Sequence, residues 1–324
     1  MRMIEAVRAA ITEEMERDER VLVLGEDVGR KGGVFGATDG LYARFGEARV
    51  LDTPLAESGI VGVAIGAALN GLIPIAEIQF ADFIHPAFDQ IVSEAARTRY
   101  RSNGDWSVPI VIRAPFGGGV HGGLYHSQSI EAFYAHVPGL KVVVPSTPSD
   151  AHGLLKSAVR DPDPVLFLEH KKTYRLIKGE IPEDDYVTPI GPAAIRREGG
   201  SLSCFAWGLM MHYCLEAAET VAGDGIDVEV IDLRSLRPLD KKTILASVEK
   251  TAKAMIVHED NLTGGFGGEI AAIIAEEAFD HLDGPVVRVG APDIPAMPFN
   301  KPQEDAFMPS PEKIADAMRT LAAY

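Results

Sequence analysis

The chain is poor in cysteine and carries far more acidic than basic side chains. Its two cysteines, Cys204 and Cys214, have neither the spacing of metal ligands nor that of a disulfide framework. We therefore expect a reducing, cytoplasmic setting. With 31 Lys and Arg against 47 Asp and Glu, the net charge is −16, which opposes binding to nucleic acid and to anionic membranes. The N-terminus is charged and amphipathic, so we expect no signal peptide.

One long run lacks charge, but it does not read as a membrane span. The run extends from Ser58 to Ala76 and approaches the length that a bilayer requires. Asn70, Gly71 and Pro74 interrupt it, and glycines and alanines give it a face of small residues. We expect a tightly packed helix that ends near Asn70, followed by a buried strand from Ile75 to Gln79.

Segments with strand and helix patterns alternate along the chain. The strand segments are rich in Val and Ile on both faces, which is typical of parallel sheets covered by helices on both sides. They are predicted at 21–24, 74–79, 109–114, 141–144, 164–168, 201–206, 227–232, 254–258 and 286–289. Helices are predicted at 3–16, 58–70, 86–101, 149–160, 210–222, 241–250, 268–279 and 311–322.

A charged, aperiodic segment divides this alternation into two parts. We predict two doubly wound α/β domains, an N-terminal one over 1–175 and a second one over 193–324. The segment 176–192 is the predicted linker between them.

No segment of the chain carries a recognisable diphosphate-binding motif. The glycine-rich loops at 32–36, 117–123 and 264–268 match neither a Walker A loop nor a full dinucleotide fingerprint. Gly223-Asp224-Gly225 has the composition of a magnesium-diphosphate motif, but it ends a predicted helix rather than a strand. We interpret this tripeptide as a turn.

Three residues are candidates for a ligand site: Glu57 at the start of a predicted helix, and His126 and Phe83 after predicted strands, where ligands of open α/β sheets bind. Glu57 opens a very apolar helix, where the helix N-terminus favours the ionised carboxylate and burial favours the neutral acid. A glutamate that merely caps the helix would give the same pattern. His126 follows a glycine-rich loop and can exchange protons near neutral pH, or it serves a structural role. Phe83 can stack on a heteroaromatic ring, although most phenylalanines in such places belong to the core.

Six ordered segments together resemble one family, the beta subunits of the decarboxylating component of 2-oxo acid dehydrogenase complexes. The resemblance covers essentially the full length, and the C-terminal half resembles the transketolase C-terminal domain. The segments are Leu24-Gly25-Glu26-Asp27-Val28, Asp52-Thr53-Pro54-Leu55-Ala56-Glu57, Glu77-Ile78-Gln79-Phe80-Ala81-Asp82-Phe83, Arg99-Tyr100-Arg101-Ser102, Tyr125-His126-Ser127-Gln128-Ser129 and Pro138-Gly139-Leu140-Lys141-Val142-Val143.

The resemblance implies that the chain holds the pyrimidine end of thiamine diphosphate, a cofactor that acts as an electron sink while carbon dioxide leaves. Glu57 matches the glutamate that hydrogen-bonds a nitrogen of the pyrimidine ring and promotes proton transfer there. Phe83 matches the aromatic residue that stacks on this ring, and Gln79 matches a polar neighbour. Glu26 and Leu55 match further cofactor-binding positions.

Further roles follow from the same resemblance. His126 matches a histidine at the active-site mouth that serves substrate binding or proton supply during acyl transfer to lipoamide. Glu26 and Asp89 match an acidic relay, although Pro86 replaces one acidic member. A monovalent cation, K⁺, is implied at five backbone carbonyls, those of Ile110, Val111, Ala158, Asp161 and Asp163.

The resemblance also implies partners. An alpha subunit is expected to hold Mg²⁺ and the diphosphate in a heterotetramer of two alpha and two beta chains, so that this chain alone is inert. The C-terminal domain is expected to dock a lipoyl acyltransferase core. The segments 80–83, 125–129 and 131–133 look more like branched-chain members, and pyruvate, acetoin or mixed use stay open. Half of a split transketolase or of a deoxyxylulose-phosphate synthase, and a non-catalytic assembly subunit, are the alternatives.

Overall fold

The chain folds into two compact units. The structure is a computed structural model that describes residues 1–183 and 185–324; the predicted linker over 176–192 includes Asp184, which lies outside the described residues. The N-terminal unit comprises Met1–Phe116 and Phe133–Ile190, and the C-terminal unit comprises Gly117–Ala132 and Gly191–Tyr324. A loop that the sequence assigned to the first domain therefore belongs to the C-terminal unit.

The helices and strands follow the predicted alternation. The α-helices are α1 (Met3–Arg17), α2 (Leu41–Phe45), α3 (Glu57–Leu69), α4 (Thr98–Arg101), α5 (Glu131–Ala135), α6 (Pro148–Val159), α7 (Thr173–Leu176), α8 (Leu209–Ala222), α9 (Lys241–Thr251), α10 (Gly267–Glu277), α11 (Lys301–Phe307) and α12 (Pro311–Ala322). The strands are β1 (Val21–Gly25), β2 (Val50–Asp52), β3 (Ile73–Glu77), β4 (Val111–Phe116), β5 (Lys141–Val143), β6 (Val165–His170), β7 (Ala194–Arg197), β8 (Leu202–Ala206), β9 (Val228–Asp232), β10 (Ser235–Arg237), β11 (Ala254–Asn261) and β12 (Val287–Ala291).

The N-terminal unit is built on parallel strands in the order β5-β6-β4-β3-β1-β2. On one face, α1 and α6 pack together, and their apolar residues form a core with alternate residues of the central strands. Helix α3 contacts β1 and β3. Strands buried on both faces, such as β4 and β6, explain why their sequences show no alternation of polar and apolar residues.

The C-terminal unit has the strand order β12-β11-β8-β9-β7, in which only the edge strand β7 is antiparallel. Successive residues of β8 face opposite sides. Cys204 packs into the core formed with α8 and α12, whereas the hydroxyl of Ser203 bonds to those of Ser247 and Thr251 on α9. Helices therefore cover both faces, and the prediction of two α/β domains is confirmed.

One predicted helix is wrong. The segment 86–101 forms a 3₁₀ turn at His85–Ala87, a π-helical stretch at Gln90–Ala95 and the short helix α4. A close backbone approach marks the break, since a Cβ on Gly139 would lie 2.0 Å from the carbonyl oxygen of Ala96. Among residues 1–183 and 185–324, no helix combines the length and apolar character that crossing a membrane requires.

Candidate active site

The predicted cofactor-binding residues lie together in the N-terminal unit, past the carboxyl ends of three adjacent strands. Glu26 follows β1, Glu57 follows β2, and Gln79 lies two residues beyond β3. The strands are parallel neighbours in the order β3-β1-β2, so their carboxyl ends meet at one edge of the sheet. This edge is where open α/β sheets bind ligands.

Glu57 is the first residue of α3 and is partly exposed. The N-cap residue Ala56 offers no side-chain acceptor to the helix. No residue of α3 after Glu57 is charged. Glu57 is thus the one charged side chain of α3, and it lies at the N-terminal end, where the helix dipole favours an anion.

Glu26 and Glu57 are close enough to interact electrostatically. Burial raises the pKa of Glu26, and the negative charges of Asp27 and Glu57 raise it further. The amide of Gln79 bonds to Glu26, which opposes this rise, and it also donates to Asp27 at 3.4 Å. Glu26 and Glu57 therefore lie near each other, and Gln79 is hydrogen-bonded to Glu26.

Phe83 and Leu55 add apolar surface to the same unit. Phe83 ends a 3₁₀ turn and meets Phe80 edge to face, with ring centroids 5.8 Å apart. Phe80 in turn contacts Phe35 at 5.5 Å, so the ring of Phe83 is held by an aromatic row. Leu55 is 73% exposed.

A buried ion network ties together the strands beneath these loops. Arg113 on β4 donates to Glu169 on β6 at 2.6 and 2.8 Å, and to Glu77 on β3 at 2.5 Å. Tyr174 donates its hydroxyl to Glu169 at 2.6 Å. Burial lowers the pKa of Arg113, but the charges of Glu169 and Glu77 more than compensate and raise it.

His126 lies in the C-terminal unit, on the glycine-rich loop between Gly117 and Ala132. It follows a 3₁₀ turn formed by Gly123–Tyr125 and is partly exposed. The loop receives two acceptors from its own unit. Glu259 accepts the N–H of Gly118 at 2.5 Å, and Glu304 accepts the N–H of Gly119 at 2.9 Å. His126 therefore sits on a loop whose backbone is fixed by buried carboxylates.

A second buried acidic group follows this loop. Glu131 is fully buried and accepts a hydrogen bond from Nε1 of Trp207 at 3.0 Å. Burial raises the pKa of Glu131 to about 8, and the charge of Asp260 contributes. Burial also raises the pKa of Asp260 to about 6. Burial therefore favours the neutral form of Glu131.

The carbonyls predicted to bind a monovalent cation lie in the N-terminal unit. The carbonyl of Ile110 accepts the N–H of Val165, and that of Ala158 accepts the N–H of Asp161. The neighbouring carboxylates are paired: that of Asp161 contacts Lys141 at 2.6 Å and that of Asp163 contacts Arg99. The cation site at Ile110, Val111, Ala158, Asp161 and Asp163 stays a prediction. Over residues 1–183 and 185–324, no group of three or more His, Cys, Asp or Glu side chains is arranged to hold a metal ion.

Family models match nearly the whole chain. The transketolase pyrimidine-binding domain matches residues 1–177, and the transketolase C-terminal domain matches residues 191–314. The 2-oxoisovalerate dehydrogenase subunit beta of Bacillus subtilis is 60% identical over 100% of this chain and 99% of its own. This chain belongs to the family of 2-oxo acid dehydrogenase beta subunits.

A second sequence relative and one solved structure are also similar to this beta subunit. The pyruvate dehydrogenase E1 component subunit beta of Bacillus subtilis is 48% identical over 100% of this chain and 99% of its own. A solved chain described as a split gene transketolase, inactive beta4 tetramer, superposes with a TM-score of 0.80 over 98% of this beta subunit and 97% of that chain, at 24% identity. That likeness shows the shared fold.

Some residues of this beta subunit escaped the sequence analysis. Arg113 and Glu77 had a usable signal, because a charged residue inside an otherwise apolar strand predicts a buried ion pair. Glu304 and Glu131 had none, because their partners lie 185 and 76 residues away in sequence. Glu259 also had none, because its partner Gly118 lies 141 residues away in sequence.

Proposed function

We propose that this chain, together with an alpha subunit, catalyses the thiamine-diphosphate-dependent oxidative decarboxylation of a branched-chain 2-oxo acid. In the same cycle the acyl group passes to a lipoyl group on an acyltransferase core. The observation that carries the proposal is that Glu26, Glu57 and Gln79 all lie past the carboxyl ends of three adjacent parallel strands, at the sheet edge where ligands bind. Similarity to a 2-oxoisovalerate dehydrogenase subunit supports the substrate class.

The side chains present fit the pyrimidine end of the cofactor. When bound, thiamine diphosphate supplies the electron sink that decarboxylation needs. Glu57 would hold a proton at a pyrimidine nitrogen, and its charge helps to raise the pKa of neighbouring Glu26. Phe83 would stack on the ring. The exposed Leu55 would pack against the cofactor or against the alpha subunit that covers it. The remaining acidic-relay position, Asp89, is exposed.

His126 serves the later, acyl-transfer half of the proposed reaction. It lies on a loop with a fixed backbone and is partly exposed. A histidine so placed can supply or accept a proton near neutral pH. We assign it to binding of the lipoyl substrate and to proton supply when the lipoyl group takes the acyl unit.

The proposed alpha subunit would hold Mg²⁺ and the diphosphate, in a heterotetramer of two alpha and two beta chains. The face of α3 beside Glu57 supports an obligate partner. It exposes Val63, which is 62% accessible, and Leu69, together with glycines. This face carries no charged side chain. Exposed apolar patches of this kind mark protein interfaces. The two cysteines are free and buried, and we propose a cytoplasmic reaction.

Pyruvate is the second candidate substrate. The observation in its favour is the 48% identity with a pyruvate dehydrogenase E1 subunit over the full chain. A hydrophobic pocket discriminates by only about 1–3 kcal/mol per methylene, so one enzyme can use both substrates.

The decisive experiment is reconstitution. The chain is co-produced with the alpha-type chain encoded beside it, and decarboxylation of 3-methyl-2-oxobutanoate and of pyruvate is measured with thiamine diphosphate, Mg²⁺ and an artificial electron acceptor. The matched control for Glu57→Gln is Glu47→Gln, since Glu47 is exposed in the same unit. We expect activity from the pair and none from the chain alone. Full activity of the isolated chain, or an inactive pair, contradicts the proposal; ketose-phosphate turnover would identify a split transketolase instead.

A further inference from the structure

The loop that carries His126 folds around carboxylates of its own unit. Its backbone has positive φ at Gly117, Gly119, Gly123 and also at His121, where φ is 59°. Positive φ at alternating positions turns backbone N–H groups toward a common point and forms an anion-binding nest. Here the anion is supplied by the protein itself.

Glu304 fills this nest. Its Oε1 atom accepts the N–H of Gly119 at 2.9 Å and the N–H of His121 at 3.1 Å. Its Oε2 atom lies 2.6 Å from Nδ1 of His121, a close contact without the geometry of a hydrogen bond. The Glu304 side chain is 1% exposed, although His121 is 47% exposed. The carboxylate therefore binds the loop from its buried side, where water does not reach it.

Glu259 holds the two ends of the same loop. Its Oε1 atom accepts the N–H of Gly118 at 2.5 Å and the hydroxyl of Ser129 at 3.3 Å. His126 lies between these two anchors in sequence. Glu259 and Glu304 come from β11 and α11, so two elements of the C-terminal unit fix the loop at both sides of the histidine.

Gly122, the residue after the anchored His121, lies against His126. A Cβ built on Gly122 would lie 2.6 Å from the carbonyl oxygen of His126 and 2.9 Å from its Cβ. No side chain can enter this contact, so the backbone at Gly122 packs against His126. A displacement of His121 by loss of its anchor therefore moves the surface on which His126 rests.

We propose that Glu304, assisted by Glu259, is a positioning residue for His126. The inference rests on the role proposed for His126 in acyl transfer. A misplacement of about 1 Å can cost about 100-fold in rate. Loss of the anchor should therefore slow the acyl-transfer step and leave the decarboxylation step, which uses residues of the N-terminal unit, unchanged.

The test uses the reconstituted holoenzyme with Glu304→Ala and Glu304→Gln. The control is Asp305→Asn, because Asp305 is the next residue of α11 and is exposed, pairing with Lys301. Two reactions are measured: decarboxylation with an artificial acceptor, and acylation of a free lipoyl domain over a range of domain concentrations. Hydrogen exchange of the peptide spanning 117–126 reports the loop itself.

We expect Glu304→Ala to lower kcat for lipoyl acylation by about 10- to 100-fold, with decarboxylation within about twofold of wild type and faster exchange of the loop peptide. Glutamine keeps one acceptor oxygen, so Glu304→Gln should restore kcat to within about threefold. Asp305→Asn should match wild type in every measurement.

Other results overturn the inference. Unchanged acylation by Glu304→Ala, an equal loss in both reactions, or an equal loss in the alanine and glutamine variants would each rule out positioning through the loop backbone. If the alanine variant does not assemble, His121→Ala replaces it in the test, because it removes one of the three contacts of Glu304 at an exposed residue. This variant must lower the rate of acylation but not that of decarboxylation, or the inference is wrong. An inactive wild-type pair would instead refute the proposed function, while hydrogen exchange would still show whether Glu304 anchors the loop.

Discussion

Arg113 and Glu169 form a bidentate ion pair in the interior of the N-terminal unit. Nε and Nη2 of Arg113 donate to the two carboxylate oxygens of Glu169 at 2.6 and 2.8 Å, and neither side chain is exposed. The pair joins β4 to β6, and Glu77 extends it to β3. Of the three strands that precede the site residues, the network contains β3, which it joins to β4 and β6.

Replacing Arg113 alone should be costly. Arg113→Met leaves two carboxylates buried without their counter-charge, and removing one partner of a buried pair costs about 3–5 kcal/mol. Urea unfolding measures this loss, and Arg101→Met, at an exposed position, is the control. A triple variant that also replaces Glu77 and Glu169 with leucine should lose less unfolding free energy than Arg113→Met. A larger loss would show that the attraction within the network exceeds the free energy required to bury its charges.

Glu57→Gln should remove most of the activity and leave the fold intact. Glutamine cannot carry the proton, and one proton-transfer group typically contributes about 10²- to 10⁴-fold in rate. We expect at least about a tenfold fall in kcat for 2-oxo acid decarboxylation, with subunit assembly unchanged by size-exclusion chromatography. An unaffected rate would favour the alternative that the chain is a non-catalytic assembly subunit.

The buried acid Glu131 should make the stability of the C-terminal unit depend on pH. Its pKa is raised from 4.5 to about 8 in the folded state, so between these pH values the folded state keeps a proton that the unfolded state releases. Stability from this group is complete below pH 4.5 and is lost as pH rises toward 8, by at most about 1.4 kcal/mol per pH unit.

Glu131→Gln should flatten that dependence. The unfolding midpoint of the variant, compared with wild type at pH 5, 6.5 and 8, should improve steadily with pH. Glu249→Gln is the control, because Glu249 is exposed on α9. A constant difference between Glu131→Gln and wild type at all three pH values would show that Glu131 is ionised in the folded protein.

The uncharged face of α3 should be needed for assembly. Val63→Lys adds a charge at an exposed position, and beside it a Cβ on Gly62 or Gly66 would meet no atom within 4 Å in the described chain. The variant should fold alone but fail to form the complex with the alpha subunit. Leu176→Lys, at a similarly exposed position of the same unit, should assemble normally. Assembly is followed by light scattering, and normal assembly of Val63→Lys would exclude this face as the interface.

The sequence by itself determined the family, the two α/β domains and most strands and helices. These features depend on local patterns: runs of Val and Ile, and glycine and proline between them. The position of Glu57 followed as well, because α3 begins at that residue. Phe83 could be placed past a strand for the same reason, whereas Gln79 was predicted to end that strand and lies two residues beyond it. The segment 86–101 was predicted wrongly because its apolar pattern is helical, whereas its backbone must also accommodate Gly139 of a distant loop.

Tertiary structure alone decided which side chains meet. The charge repulsion of Glu26 by Glu57, the pairing of Arg113 with Glu169 and the anchoring of Gly119 by Glu304 join residues far apart in sequence. It also decided that residues 117–132 group with the C-terminal unit. The physical reason is that hydrophobic periodicity selects which face of an element is buried, whereas a hydrogen bond requires two specific atoms within about 3 Å, and only the packing of all elements sets that distance.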